Sequence, residues 1–169
     1  MISNISSLIE IGPDRYKEDQ GLYFEDFKVG VTIEHTPGRT ITDADNTWIT
    51  LLSLNRHPLH IDQKYANEQS EFGKILVNST VTFTIINGMT VERLSAKAIA
   101  NLGWDNVKLT NPVFIGDTLY AESTIISVRE SKSRPHQGII KIRTIGKNQS
   151  HAHVITMERA FLVPKRNII

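Results

Sequence analysis

Hydrophobic and polar positions alternate most regularly in the C-terminal half of the chain. Thr118 to Val128 is β-branched and half-alternating. Gly138 to Ile145 sets Ile140, Ile142 and Thr144 on one face and Lys141 and Arg143 on the other. From His151 to Val163, residues Ile155, Met157, Phe161 and Val163 share a parity. The polar stretches Arg134 to Gly138 and Gly146 to Ser150 separate these runs, and consecutive strands with short connections predict an antiparallel meander. A shorter strand is predicted over Asp105 to Thr110, ended by Pro112, and another over Thr32 to Thr42, interrupted by Pro37-Gly38.

The helical signals come earlier. Thr42 offers a hydroxyl cap, and Asp43 and Asp45 place acids in a first turn, where the helix dipole favours them. Trp48, Ile49, Leu51, Leu52 and Leu54 follow at helix-like spacing, which predicts a helix with these side chains in the core. Asp62 to Gln69 reads as a second short helix. Asn78 to Ala100 is ambiguous on its residues. Thr80 to Ile85 alternates with period two and strand propensity, Val91 to Ile99 reads as helix, and Asn87-Gly88 between them fits a hairpin turn. Residues 1–21 carry scattered Ile and Leu and then a polar run, and are read as an N-terminal arm, ordered or frayed.

Composition narrows the chemistry. With 169 residues the chain is long enough for one domain with a full core. It has no cysteine, which excludes disulfides, thiol nucleophiles and thiolate metal sites. Nineteen basic residues balance eighteen acidic ones, too evenly for a stripe that tracks phosphates, so no nucleic-acid partner is expected. No apolar run approaches the ~20 residues of a membrane span, and the N-terminus lacks a basic start and an unbroken apolar stretch, so a cytoplasmic location without membrane contact is expected. No nucleotide-binding loop is present. His151 and His153 share a strand face, but with no third ligand in sight they are read as solvated, and no metal is expected.

The stretch that carries chemistry is Asn55-Arg56-His57-Pro58-Leu59-His60-Ile61-Asp62. A helix must end before Pro58, so His60 is presented from a turn on a rigid support, as working side chains often are. Further on, Asn78-Ser79-Thr80 opens another apolar segment with capping side chains. Free N–H groups at such a start can hold an oxyanion.

Asn55 to Asp62 resembles the hydratase motif of the MaoC-like dehydratases, the (R)-specific enoyl-CoA hydratases. The likeness extends to Tyr23 to Gly30, to Gly38 to Thr42 and to Asn111 to Leu119, so it spans roughly Gly21 to Lys165. It implies an α+β hotdog fold over residues 22–166, an antiparallel sheet wrapped around one long helix, and makes Asn78 to Ala100 that helix. It implies further that a trans-2-enoyl thioester of coenzyme A is hydrated without a cofactor, by a homodimer or a dimer-based higher oligomer. His60 matches the family's catalytic histidine and Asn55 falls where the family has its catalytic aspartate. His57 replaces an asparagine, and Ser79 replaces a glycine whose N–H binds the thioester oxygen. An asparagine can position water but cannot take its proton, whereas serine keeps the backbone donor. Asn55 to His60, Leu76 to Ser79, Ala100 to Trp104 and Ser131 to Pro135 also resemble a branch that hydrates short dicarboxyl-CoA thioesters such as itaconyl- or mesaconyl-CoA.

His60 and Asn55 are therefore the expected catalytic pair, with Ser79, Asn78, Arg56, His57, Asp62 and Arg134 as expected substrate contacts. The two arginines enter because guanidinium forks suit a carboxylate or a CoA phosphate. Each also has a plain reading as a helix end, a cap, a loop polar group or a solvated charge. Two other functions fit the same fold: a non-catalytic acyl-CoA-binding protein and an acyl-CoA thioesterase.

Overall fold

The computed structural model describes residues 8–166. An N-terminal hairpin, β1 (Leu8–Gly12) and β2 (Arg15–Glu18), forms its own two-stranded sheet. The remaining strands are β3 (Thr32–Thr40), β4 (Ala100–Leu109), β5 (Thr118–Glu130), β6 (Gln137–Lys147) and β7 (His153–Pro164). They build one five-stranded antiparallel sheet in the order β3-β5-β6-β7-β4. Helices α1 (Asp43–Leu52), α2 (Gln63–Gln69) and α3 (Ser79–Met89) lie between β3 and β4 in the chain.

The sheet wraps α3. Val81, Thr82, Ile85 and Ile86 are buried, one face of a helix, and meet Leu119, Ala121, Ile155 and Met157 of the sheet. Period two and period 3.6 both accommodate Val81 and Ile85, so the residues alone could not choose between strand and helix. The buried position chooses helix. Asn87-Gly88 lies inside or at the end of that helix rather than in a hairpin turn. Val91–Ser95 adds one π-helical turn, so the helix expected over Asn78 to Ala100 stops earlier. Gly146 on β6 lets α3 come close, since a Cβ there would stand 2.8 Å from the Ile86 side chain. A second apolar cluster, around Phe161, Leu94, Ile140 and Ile142, fills the space beyond the C-terminal end of α3.

Three other expectations shift. β4 starts at Ala100, five residues before the alternation suggested, with irregular pairing to β7 at Asn101–Gly103 and Asp105–Lys108. Such interruptions hide the period-two signal and are tolerated at an edge. β3 is a single strand whose pairing with β5 is interrupted between His35 and Arg39, around Pro37. The largest correction concerns α1, whose apolar side chains, apart from the half-buried Ile49 that packs against the core, face away from it. Trp48, Leu51, Leu52 and Leu54 are all more than half exposed, while Asn46 and Thr50 are buried. The helix turns its polar side inward.

Candidate active site

The capping box at Thr42 fixes where α1 begins. The Thr42 hydroxyl accepts from the Asp45 N–H, and an Asp45 oxygen accepts from the Thr42 N–H. Burial pushes the Asp45 carboxyl upward, but hydrogen bonds from Thr42 and Arg39 and the Arg39 charge hold it below the ordinary range. At the other end Leu54 adopts φ 56°. The Leu54 N–H then reaches Leu51 O and the Asn55 N–H reaches Thr50 O, a Schellman closure with leucine where glycine is usual. This turn directs the chain into the histidine loop.

That loop is locked by its own side chains. Asn55 Oδ1 accepts from the His57 N–H at 3.0 Å, and His57 Nδ1 accepts from the Leu59 N–H at 3.2 Å. Pro58–His60 forms a single 3₁₀ turn. His60 Nδ1 lies 2.8 Å from the carbonyl oxygen of Leu76, which can only accept. Nδ1 therefore carries a proton, and in the neutral ring Nε2 is left with the free lone pair. The His57 ring stands beside His60, with centroids 5.8 Å apart, and Tyr65 meets its other side at 6.3 Å.

His60 opens on a mainly apolar cleft of about 390 Å³, walled by Phe72, Leu76, Val77, Leu109, Pro112 and Val113, with Ser79, Thr82, Thr110 and Asn111 as its other polar groups. Ser79 is the first residue of α3. Asn78 Oδ1 takes the Thr80 N–H, and the Val81 and Thr82 N–H groups both reach Asn78 O. Of the first four N–H groups of α3, only that of Ser79 lacks an acceptor among the described residues. A donor at a helix start and an imidazole lone pair, on two residues that line one cleft, suit an oxygen that gains negative charge.

The cleft thus brings together His60 and Ser79. Asn55, Arg56, His57 and Asp62 share the histidine loop but do not line the cleft within this chain. Asn55 keeps its amide N–H₂ without an acceptor among the described residues, while Asp62 spends a carboxylate oxygen capping α2 through the Tyr65 N–H. Two expectations fail within this chain. Asn78 is 1% exposed and its side chain is consumed internally, capping Thr80 and donating to Thr50 Oγ1, so it does not touch a ligand in the cleft. Arg134 lies in the β5–β6 turn and faces Gln137, roughly 40 Å along β5 from the Asp117 turn that adjoins the site.

Reading the sequence missed Asn46 and Thr50. Both are fully buried, and Asn46 bonds His60 O and the Asn78 N–H. The available signal was their i, i+4 spacing, which puts two polar side chains on one stripe of α1. It was masked because the apolar residues of that helix point in several directions rather than along one stripe.

The family profile described as mesaconyl-CoA hydratase matches residues 10–169. Over 151 residues the chain is 34% identical to the mesaconyl-CoA hydratase of Cereibacter sphaeroides, covering 89% of this chain and 43% of that protein. It is equally identical, 34% over 89% of its length, to the beta-methylmalyl-CoA dehydratase of Chloroflexus aurantiacus, 42% of which is covered. A Mycobacterium tuberculosis protein described as a double hotdog superposes with a TM-score of 0.79 at 20% identity, over 88% of this chain and 46% of that one. The chain therefore spans less than half the length of these relatives and has the fold of one hotdog unit. By its fold and its family match over residues 10–169, the chain belongs to the mesaconyl-CoA hydratase family of MaoC-like proteins.

Proposed function

We propose that this protein is a hydro-lyase that reversibly adds water across the double bond of a 2-enoyl-CoA thioester, with short dicarboxyl-CoA thioesters of the mesaconyl type as its substrates. The observation that carries the reading is the pairing across one cleft of the His60 lone pair and the unengaged Ser79 N–H. As the water oxygen bonds to C3 of the enoyl group, His60 Nε2 takes a water proton, and electron density moves onto the thioester oxygen. The Ser79 N–H stabilises that oxygen, and the imidazolium then delivers its proton to C2. Asn55, through its N–H₂, orients the water. Arg56, His57 and Asp62 contact the CoA portion from the rim of the loop. Residues 22–166 form the catalytic hotdog domain, preceded by the arm expected over residues 1–21, of which residues 1–7 lie outside the described residues.

A second copy pairs with the first in this reading. Among the described residues edge strand β4 pairs only with β7 and exposes Leu102, Trp104, Val107 and Leu109, and Leu109 also walls the cleft. The active form is then a dimer in the cytoplasm, and sedimentation at micromolar concentration tests it.

The activity test follows loss of enoyl absorbance and release of CoA thiol separately, with crotonyl-, itaconyl- and mesaconyl-CoA. Hydration without thiol release, with His60→Ala slower by about 10²-fold or more, is the expected result. Thiol release marks a thioesterase, and binding with neither signal marks an acyl-CoA-binding protein. Either outcome overturns the proposal.

A further inference from the structure

We propose that Asn46 is a positioning residue for that reaction, whose carboxamide sets the separation between the His60 imidazole and the Ser79 N–H. The inference rests on the hydratase reading and adds to it a residue that never touches the substrate. Asn46 is 1% exposed and does not line the cleft. Its Nδ2 donates to the carbonyl oxygen of His60 at 2.8 Å, and its Oδ1 accepts from the backbone N–H of Asn78 at 3.0 Å. One rigid, planar amide therefore grips the main chain of the general base with one end and the residue before the oxyanion donor with the other.

Other bonds close the frame. His60 Nδ1–H holds Leu76 O, and the Leu76 N–H holds Leu59 O. Asn78 Nδ2 returns to Thr50 Oγ1, one turn along α1 from Asn46. Among the described residues no buried side-chain nitrogen or oxygen is left unpaired. Such a closed network holds a unique geometry because every alternative strands a buried polar group.

Only an amide of this length does the job. The His60 carbonyl demands a donor and the Asn78 N–H demands an acceptor. Alanine offers neither, and glutamine is one methylene too long for a buried gap. Aspartate is isosteric and divides into two cases. As a neutral acid its O–H replaces the lost donor while its carbonyl oxygen still accepts. Ionised, it faces the His60 carbonyl with a second acceptor, and burial pushes its titration upward. Displacing catalytic groups by about 1 Å can cost about 10²-fold in rate.

The test compares the full-length wild type with Asn46→Ala and Asn46→Asp, and with Ser123→Ala as a variant that disturbs a buried hydroxyl network outside this site. Rates are measured with the enoyl-CoA that the wild type hydrates best, as kcat and KM from pH 5 to 9. The expected result is a fall of about 10²-fold in kcat for Asn46→Ala with KM changed less than threefold, and no fall for Ser123→Ala. Asn46→Asp should be impaired at high pH, and its rate relative to wild type should climb as the pH falls. The ratio at each pH removes the pH effects that the two proteins share. Asp45, the neighbouring carboxyl on α1, is held ionised by Thr42 and Arg39. Asn46→Ala with an unchanged kcat, or Asn46→Asp with a flat ratio, overturns the proposal. Should Asn46→Ala fail to fold, the isosteric aspartate decides alone. The ¹⁵N spectrum of His60 supplies a readout independent of turnover: the Nδ1–H tautomer of the wild type should give way to a mixture in Asn46→Ala. A wild type inert toward every enoyl-CoA removes the hydratase reading, whereas a His60 tautomer indifferent to Asn46→Ala removes this one.

Discussion

Near the two ends of α3 the protein buries two polar clusters of opposite character. At the N-terminal end, Asn46, Thr50 and Asn78 join α1, the histidine loop and the helix start through groups that do not titrate. Toward the C-terminal end, His35 shares a cleft with Met89, and its Nε2 lies 2.9 Å from Ser123 Oγ, which in turn meets Thr144 Oγ1 at 2.8 Å. The second cluster is also satisfied, but it is built on an imidazole, and burial pushes the His35 pKa down to about 4. The contrast shows how one fold separates tasks. Amides frame the loop of His60, the proposed proton carrier, so the frame itself is blind to pH. At the far end a titratable group sits in the core, where its protonation affects stability instead of rate.

The sharpest way to break this comparison is to truncate the amide end. Asn78→Ala removes the cap on Thr80 and the bond to Thr50. A lost cap costs about 1 kcal/mol and broken buried hydrogen bonds another 1–3, so a loss of about 3 kcal/mol is expected. It should appear as a lower urea midpoint with an unchanged slope, and kcat should fall with it. A variant that is equally stable would mean that the buried network contributes nothing at this end.

The imidazole end makes a prediction with a definite sign. In the unfolded chain a histidine titrates near 6.5, and in the fold His35 titrates near 4. Between these values the unfolded state binds the extra proton. Stability is therefore full above about pH 6.5 and is lost progressively as pH falls toward 4, by about 3 kcal/mol in all. Unfolding measured at pH 7, 5.5 and 4 checks the limb, and His35→Asn should flatten it. The Glu158 carboxyl, held down to about 2 by Lys141 and Arg143 against the opposing effect of burial, adds its own loss only at lower pH, between about 4.5 and 2. An acid limb that survives in His35→Asn with its midpoint between pH 4 and 6.5 would assign the effect to another group.

The two ends were not equally legible in the sequence. The strands that carry Ser123 and Thr144 announced themselves, because β5 and β6 alternate over long runs and bury one parity. His60 was legible for a different reason: the spacing from Asn55 through Pro58 to His60 is compact and unusual. The frame behind it was not, since Asn46, His60 and Asn78 lie 14 and 32 residues apart from Asn46 and are joined only by folding. Nor was the orientation of α1 legible. Trp48, Leu51 and Leu52 suggest burial by hydropathy, yet the interior at that place needs donors and acceptors, and these three side chains turn outward. α3 was undecided on its residues because β-branched side chains serve the buried face of a helix as well as a strand.

The last prediction concerns Leu54, where the amide end carries backbone strain. Its φ of 56° lies in the left-handed region, and its side chain is 76% exposed. A leucine held there costs about 1 kcal/mol that glycine does not pay. Nothing among the described residues repays that cost through burial. Leu54→Gly should therefore raise the stability of the single subunit by about 0.5–1 kcal/mol and leave kcat unchanged, because Thr50 O and Leu51 O still hold the turn. If Leu54 persists because a second copy covers it together with Trp48, Leu51 and Leu52, the same change should weaken self-association. Urea midpoints at submicromolar protein report the first effect, and sedimentation across a dilution series reports the second. A more stable subunit that dimerises less tightly would place the apolar face of α1 in the interface. Greater stability with unchanged association would keep α1 outside it and leave the β4 edge to pair alone.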